Sequence, residues 1–106
     1  MLRFIRRCFR RPVPTVANAA AFREISELDA YVLAERGECP VLGKEESALQ
    51  RAAVCLRRMP VGYVLGISDS RHALKLWYTP DLGAARERFS VFVAKMRRSG
   101  SPFGNA

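Results

Sequence analysis

Residues 45–60 read EESALQRAAVCLRRMP. Leu49, Ala52, Leu56 and Met59 recur three and four apart, the spacing of one face of an α-helix. Ala48, Ala53 and Val54 widen that stripe. Glu45 and Glu46 at the front, with Arg57 and Arg58 at the back, complement a helix dipole, and Pro60 closes the segment. The pattern predicts a helix over residues 44–59.

Upstream, TVANAAAFREISELDAYVLAER at residues 15–36 contains neither glycine nor proline. Ala21, Ile25, Leu28 and Val32 form a second stripe, with Arg23 and Glu27 as an i,i+4 pair beside it. Gly37 sits where a left-handed residue ends a helix. One long helix is expected, although SELD at 26–29 resembles a capping box, with Asp in the usual Glu or Gln place, and allows a later start.

Downstream the period drops from 3.6 to 2. VGYVLGIS at 61–68 and ALKLWYT at 73–79 flank the turn-forming DSRH, so a β-hairpin is predicted. Tyr63, Leu65 and Ile67 are expected to share the helix-facing side with Leu74, Leu76 and Tyr78. The other side then carries Gly62, Val64, Gly66, Lys75 and Trp77, where the indole can lie over bare strand backbone. A lone hairpin is marginal and must pack on helices or pair with another chain. TPDLGAARERFSVFVAKMRR at 79–98 starts a last helix with Thr79 as N-cap and Pro80 at N1. The expected fold is a single α+β domain, ααββα, over residues 15–99, between an arm at 1–14 and a tail at 100–106.

With 106 residues, 49% of them hydrophobic, the chain supports one domain and is too apolar for disorder. No run approaches the roughly 18 apolar residues of a membrane span. Cys8, Cys39 and Cys55 are odd in number and far apart. A disulfide framework is not expected, and a reducing cytoplasm is the simpler setting.

The net charge of +8 belongs to one end. Arg3, Arg6, Arg7, Arg10 and Arg11 are five of the 18 basic residues, which leaves 13 against 10 acids in the remainder. In MLRFIRRCFRRPVP, Leu2, Ile5 and Phe9 keep helical spacing until Pro12 and Pro14 stop it. Such a cationic amphipathic segment can lie on an anionic membrane, neutralise nucleic-acid phosphates or direct mitochondrial import. It can equally pack its apolar side chains on the body and leave the arginines in water.

Chemistry is thin. SDSRH at 68–72 gathers serine, aspartate and histidine, but triad members meet across a fold and are not strung along one turn. His72 is the single histidine, no Cys-x-x-Cys pair is present, and Cys39 has no evident base. The Gly-Lys of VLGK lacks the rest of a phosphate loop. No catalytic residue, metal or cofactor is assigned. A recognition helix followed by a hairpin wing with Arg71 at its tip would suit DNA. The span from Gly37 to Glu45 is too long for a helix-turn-helix, however, and Glu45 and Glu46 would face phosphate repulsion.

The last helix has apolar residues to spare. Leu82, Ala85, Phe89, Phe92 and Met96 suffice for one stripe, and Val91 and Val93 exceed it. Arg86, Arg88 and Lys95 flank the seam. The expected function is a small non-enzymatic regulatory protein, of the anti-activator or anti-repressor type, that blocks another protein. Phe89, Phe92, Val93 and Met96 would anchor the contact, with Trp77 as a second anchor. Arg86, Arg88 and Lys95 would steer toward an acidic-rimmed apolar groove. A homodimer is expected, and nucleic-acid or anionic-membrane binding through Arg3, Arg6, Arg7, Arg10 and Arg11 is the alternative.

Overall fold

The structure, a computed structural model, describes residues 22–104, so the N-terminal arm with its five arginines and Cys8 lies outside the described residues. In chain order the elements are β1 (Arg23–Ile25), α1 (Glu27–Ala34), β2 (Val41–Ser47), β3 (Ala52–Arg58), β4 (Tyr63–Ser68), β5 (Lys75–Thr79) and α2 (Leu82–Ser99). The strands form one antiparallel sheet in the order β1-β5-β4-β3-β2. Strands β2 to β5 are thus a meander, and β1 returns to pair with β5. The class remains α+β, but the expected ααββα order is corrected to β-α-β-β-β-β-α.

The correction begins at residues 45–60, which are a strand, a turn and a second strand instead of a helix. Ser47 pairs with Ala52, Glu46 with Ala53 and Glu45 with Val54. Ala52 and Leu56 satisfy a helical spacing of four and a strand spacing of two equally well. Val54 decides between them. Counted above as widening the helical stripe, it lies two residues from each, on the far side of a helix but on the same side of a strand. In the fold Ala52, Val54 and Leu56 are all buried, and Leu49, which belonged to the helical stripe, is 91% exposed in the turn. The partners that settle the matter are distant in sequence: Leu65 and Ile67 of β4 sit opposite Leu56 and Val54. Burial between neighbouring strands and a covering helix overrides local helix preference.

Residues 23–36 are likewise two elements. Arg23–Ile25 pairs with Leu76–Tyr78. The helix starts only at the capping box, where the Asp29 amide donates to Ser26 Oγ at 3.0 Å and the Ser26 amide donates to Asp29 Oδ2 at 3.3 Å. That reciprocal pair satisfies two donors that a continuous helix would have bonded internally.

The β4–β5 hairpin is present, with its second strand turned over. Leu65 lies opposite Trp77, Val64 opposite Tyr78 and Gly66 opposite Leu76. Directly opposed residues share a face, so Trp77 joins Leu65 on the α2 side while Leu76 and Tyr78 lie on the other. Gly66 of β4, and Gly62 just before it, therefore lie beneath Leu76 and Tyr78. A Cβ at Gly66 would stand 2.9 Å from Leu76 Cδ2, and one at Gly62, where φ is +84°, would stand 2.6 Å from the Tyr78 ring.

Helix α2 is capped by Asp81, not Thr79. The Asp81 carboxylate accepts from the Gly83 and Ala84 amides at 3.3 and 3.2 Å, while buried Thr79 accepts from the Asp81 amide through Oγ1. Gly100, at φ +86°, closes the helix by donating to the Met96 carbonyl. The main core forms where Ala85, Phe92, Val93 and Met96 meet Val54, Leu56, Leu65 and Ile67. On the opposite sheet face, α1 covers one end through Ala30, Leu33 and Ala34, over Ile25, Met59 and Val64.

Candidate interaction surfaces

The side chains expected to anchor a partner on α2 sit in the protein's own core. Phe92, Val93 and Met96 are buried, and Phe89 packs on the same cluster. The Phe89 ring lies 3.0 Å from the site of a Cβ at Gly43, so β2 leaves room for it by having no side chain there. Trp77 stacks on Phe92 with ring centroids 5.2 Å apart and on Phe22 at 6.0 Å. Lys95 lies over Phe92 at 5.7 Å and Arg88 over Phe22 at 4.7 Å, so these two cations are attached to the aromatic stack. Arg86 is exposed. Of the two surplus valines, Val93 is core and Val91 is at the surface. The aromatic layer explains why α2 needs a wider apolar face than one stripe.

Helix α1 shows the opposite. Its inner side is Ala30, Leu33 and Ala34. Leu28, Tyr31 and Val32 stand three and four apart on the outer side, with exposures of 70%, 66% and 53%. Leu28 and Val32 were expected to point inward with Ile25, on the assumption of one continuous helix. The break at Ser26 removes Ile25 to a strand and resets the phase. Within residues 26–38 the charged side chains are Glu27, Asp29, Glu35 and Glu38 against a single Arg36, all exposed, so the helix and its flank carry an acidic excess. A surface helix is ordinarily polar on the side away from its core. Here both sides are apolar.

Beyond α1 the same sheet face is an open trough of about 350 Å³. Ala53, Cys55, Val64, Leu74 and Leu76 line it, with Lys44 and Glu46 at its rim. Val64 and Leu76 also belong to the cluster under α1, so trough and helix adjoin.

The SDSRH turn meets the residues after α2. The Asp69 side chain, 5% exposed in a half-buried residue, accepts from Ser101 Oγ at 2.6 Å, His72 Nδ1 at 2.9 Å, and the Arg71 and His72 amides at 2.8 and 2.7 Å. Burial pushes the carboxyl up. The hydrogen bonds from Ser101, from the His72 ring and from the two amides outweigh it and hold the group well below the usual carboxylate range. His72 stacks on Phe103 with centroids 4.2 Å apart, and a small cleft of about 120 Å³ lies alongside Gln50 and Arg71. The residue types are those of a catalytic triad, but the bonds run differently. A triad serine gives its proton to histidine, whereas Ser101 donates to the carboxylate. The hydroxyl is thereby spent on structure. The cluster clasps residues 101–103 to the β4–β5 turn.

The other sequence signals are also placed. The Gly-Lys pair lies within β2, with Gly43 beneath Phe89. Cys39 and Cys55 are free thiols, the first near the carbonyls of Ala34 and Gly37, the second in the trough. Among the described residues no group of three His, Cys, Asp or Glu side chains is placed to hold a metal ion. No helix among them is long and apolar enough to cross a membrane. Comparison with protein-family models, curated proteins and solved structures finds no match to this chain.

Proposed function

We propose that this chain is a small non-enzymatic regulatory protein that acts as a homodimer and occludes a surface on another protein through the outer face of α1. The observation that carries the reading is the exposure of Leu28, Tyr31 and Val32 on a helix whose inner side is already packed. A helix with apolar residues all round is normally covered all round. The chemistry of the cover follows from the acidic excess. Glu27, Asp29, Glu35 and Glu38 call for a partner with apolar side chains at its centre and basic residues around them. This places the contact on a different helix, with the opposite charge, from the one expected on α2. The adjoining trough gives the partner a second, concave place to reach.

The test is a photo-reactive benzoylphenylalanine at position 31, in cells that express the chain, with the same residue at position 87 on the outside of α2 as control. A covalent adduct with one protein of another sequence, formed from position 31, absent from 87 and lost in Leu28→Glu/Val32→Glu, is the expected result. Equal adducts from both positions would remove the proposal.

A further inference from the structure

We infer that the outer edge of β2 is the homodimer surface, and that two copies pair there antiparallel about a two-fold axis through Glu45. The inference rests on the dimeric part of the functional reading and locates it. Among the described residues, β2 is an outermost strand of the sheet and, with seven residues against three, the longer of the two edges. An unpaired edge is a template for another strand, and proteins blunt it with charges or bulges. Strand β2 has both, with a register shift between Val41 and Gly43 and charges at 44, 45 and 46. These charges are arranged so that one register turns them from a guard into a lock.

With the axis at residue 45, paired positions add to 90. Lys44 then faces the second copy's Glu46, and Glu46 faces the second copy's Lys44. Both side chains are exposed and lie on the trough side of the sheet, already 3.1 Å apart within one chain. The dimer joins two such pairs into a square of alternating charge, the favourable arrangement for cross-strand neighbours. A shift of two residues either way destroys it, by setting Lys44 against itself or Glu46 against itself. Glu45 does meet its own copy on the α2 side of the sheet. Each carboxylate arrives bonded to its own Arg97 at 3.1 Å, so two carboxylates meet in the company of two guanidiniums. The same register sets Gly43 opposite the second copy's Ser47, so the regular pairing runs over residues 43–47 of each copy, past the register shift.

The axis stands perpendicular to the sheet, so the five described strands of each copy join in one continuous sheet. Both α1 helices lie on its same side. The dimer presents two copies of the Leu28–Tyr31–Val32 face in one direction, which makes it bivalent toward a partner. A single strand edge is small beside the roughly 1,200–2,000 Å² of a stable interface, so the dimer depends on protein concentration.

The experiment is light scattering on the full-length chain across a concentration series, with circular dichroism to show that each variant is folded. The expected result is a dimer whose Kd rises about tenfold or more in Lys44→Glu alone and in Glu46→Lys alone, because each change turns attraction into repulsion in two places. The double variant Lys44→Glu/Glu46→Lys restores the wild-type Kd. A chain that stays monomeric throughout overturns both this surface and the dimeric part of the functional reading. A dimer indifferent to the single changes overturns the surface alone. Single changes that weaken the dimer without rescue in the double variant overturn the reciprocal pairing.

Discussion

The Asp69 carboxylate and the Ser101 hydroxyl lie 2.6 Å apart and join the β4–β5 turn to the chain that follows α2. The two residues are 32 positions apart, and the bond closes the ring of contacts that ends α2: Gly100 reverses the helix, Pro102 is buried and Phe103 stacks on His72. Asp69 thus holds together the β4–β5 turn and the segment that follows α2.

The first prediction concerns acid. The folded-state carboxyl of Asp69 titrates well below its ordinary value, so its ionised form stabilises the fold. That contribution is fully present above about pH 4, the ordinary aspartate range, and is lost as pH falls below it toward the folded-state value. Asp69→Asn removes the charge but keeps the shape. Urea unfolding at neutral pH should show a loss of about 1–3 kcal/mol, since amide and hydroxyl donors lose a charged acceptor. As pH falls below about 4 the variant's stability should fall less steeply than that of the parent. Equal slopes for the two proteins would mean that the carboxylate is not the group that titrates.

The second prediction separates the two kinds of apolar residue on α2. Phe92 is 7% exposed between Trp77 and the β3–β4 core, and Val91 is 43% exposed one position earlier. Phe92→Ala should cost about 3–5 kcal/mol, the range for truncating a buried phenylalanine, and should lower the near-ultraviolet dichroism of Trp77. Val91→Ala should lie within about 0.5 kcal/mol of the parent. A Phe92→Ala protein of unchanged stability would return that ring to the surface and restore α2 as a partner-binding face.

The β4–β5 hairpin and α2 were legible in the residues, the other strands were not, and the failures share one cause. The β4–β5 hairpin and α2 announce themselves by alternation, by the Asp-Ser turn and by the Thr-Pro-Asp start, all within a few positions of one another, although the cap is Asp81 and not Thr79. Residues 45–60 carry no such local signal. Ala52, Ala53 and Leu56 are good helix formers, and the acids and bases at the two ends suit a dipole that does not exist. What makes the segment two strands is Leu65, Ile67 and α2, which local spacing cannot see. The site was less legible than the fold because it depends on phase. Starting α1 at Ser26 turns Leu28 and Val32 from core to surface, and slipping β5 by one residue turns Trp77 from the open face to the covered one. The SELD capping box was the one local clue to the first of these. The Asp69–Ser101 contact had none.

The third prediction returns to the turn that splits residues 45–60. Residues 48–51 contain no glycine, proline or asparagine, and the reversal is made by Arg51 at φ +52°. A non-glycine residue in the left-handed region costs roughly 1–2 kcal/mol, a strain that glycine does not bear. Arg51 is exposed, and Arg51→Gly removes no buried contact. Glycine's larger unfolded-state entropy offsets part of the relief, so thermal unfolding should show a net gain of about 0.5–1 kcal/mol. A helix through the same segment gives the opposite sign, because glycine inside a helix costs about 1 kcal/mol relative to alanine. The direction of the change therefore reports the conformation at position 51 directly. Stabilisation belongs to the hairpin, and destabilisation of that size would restore the helix.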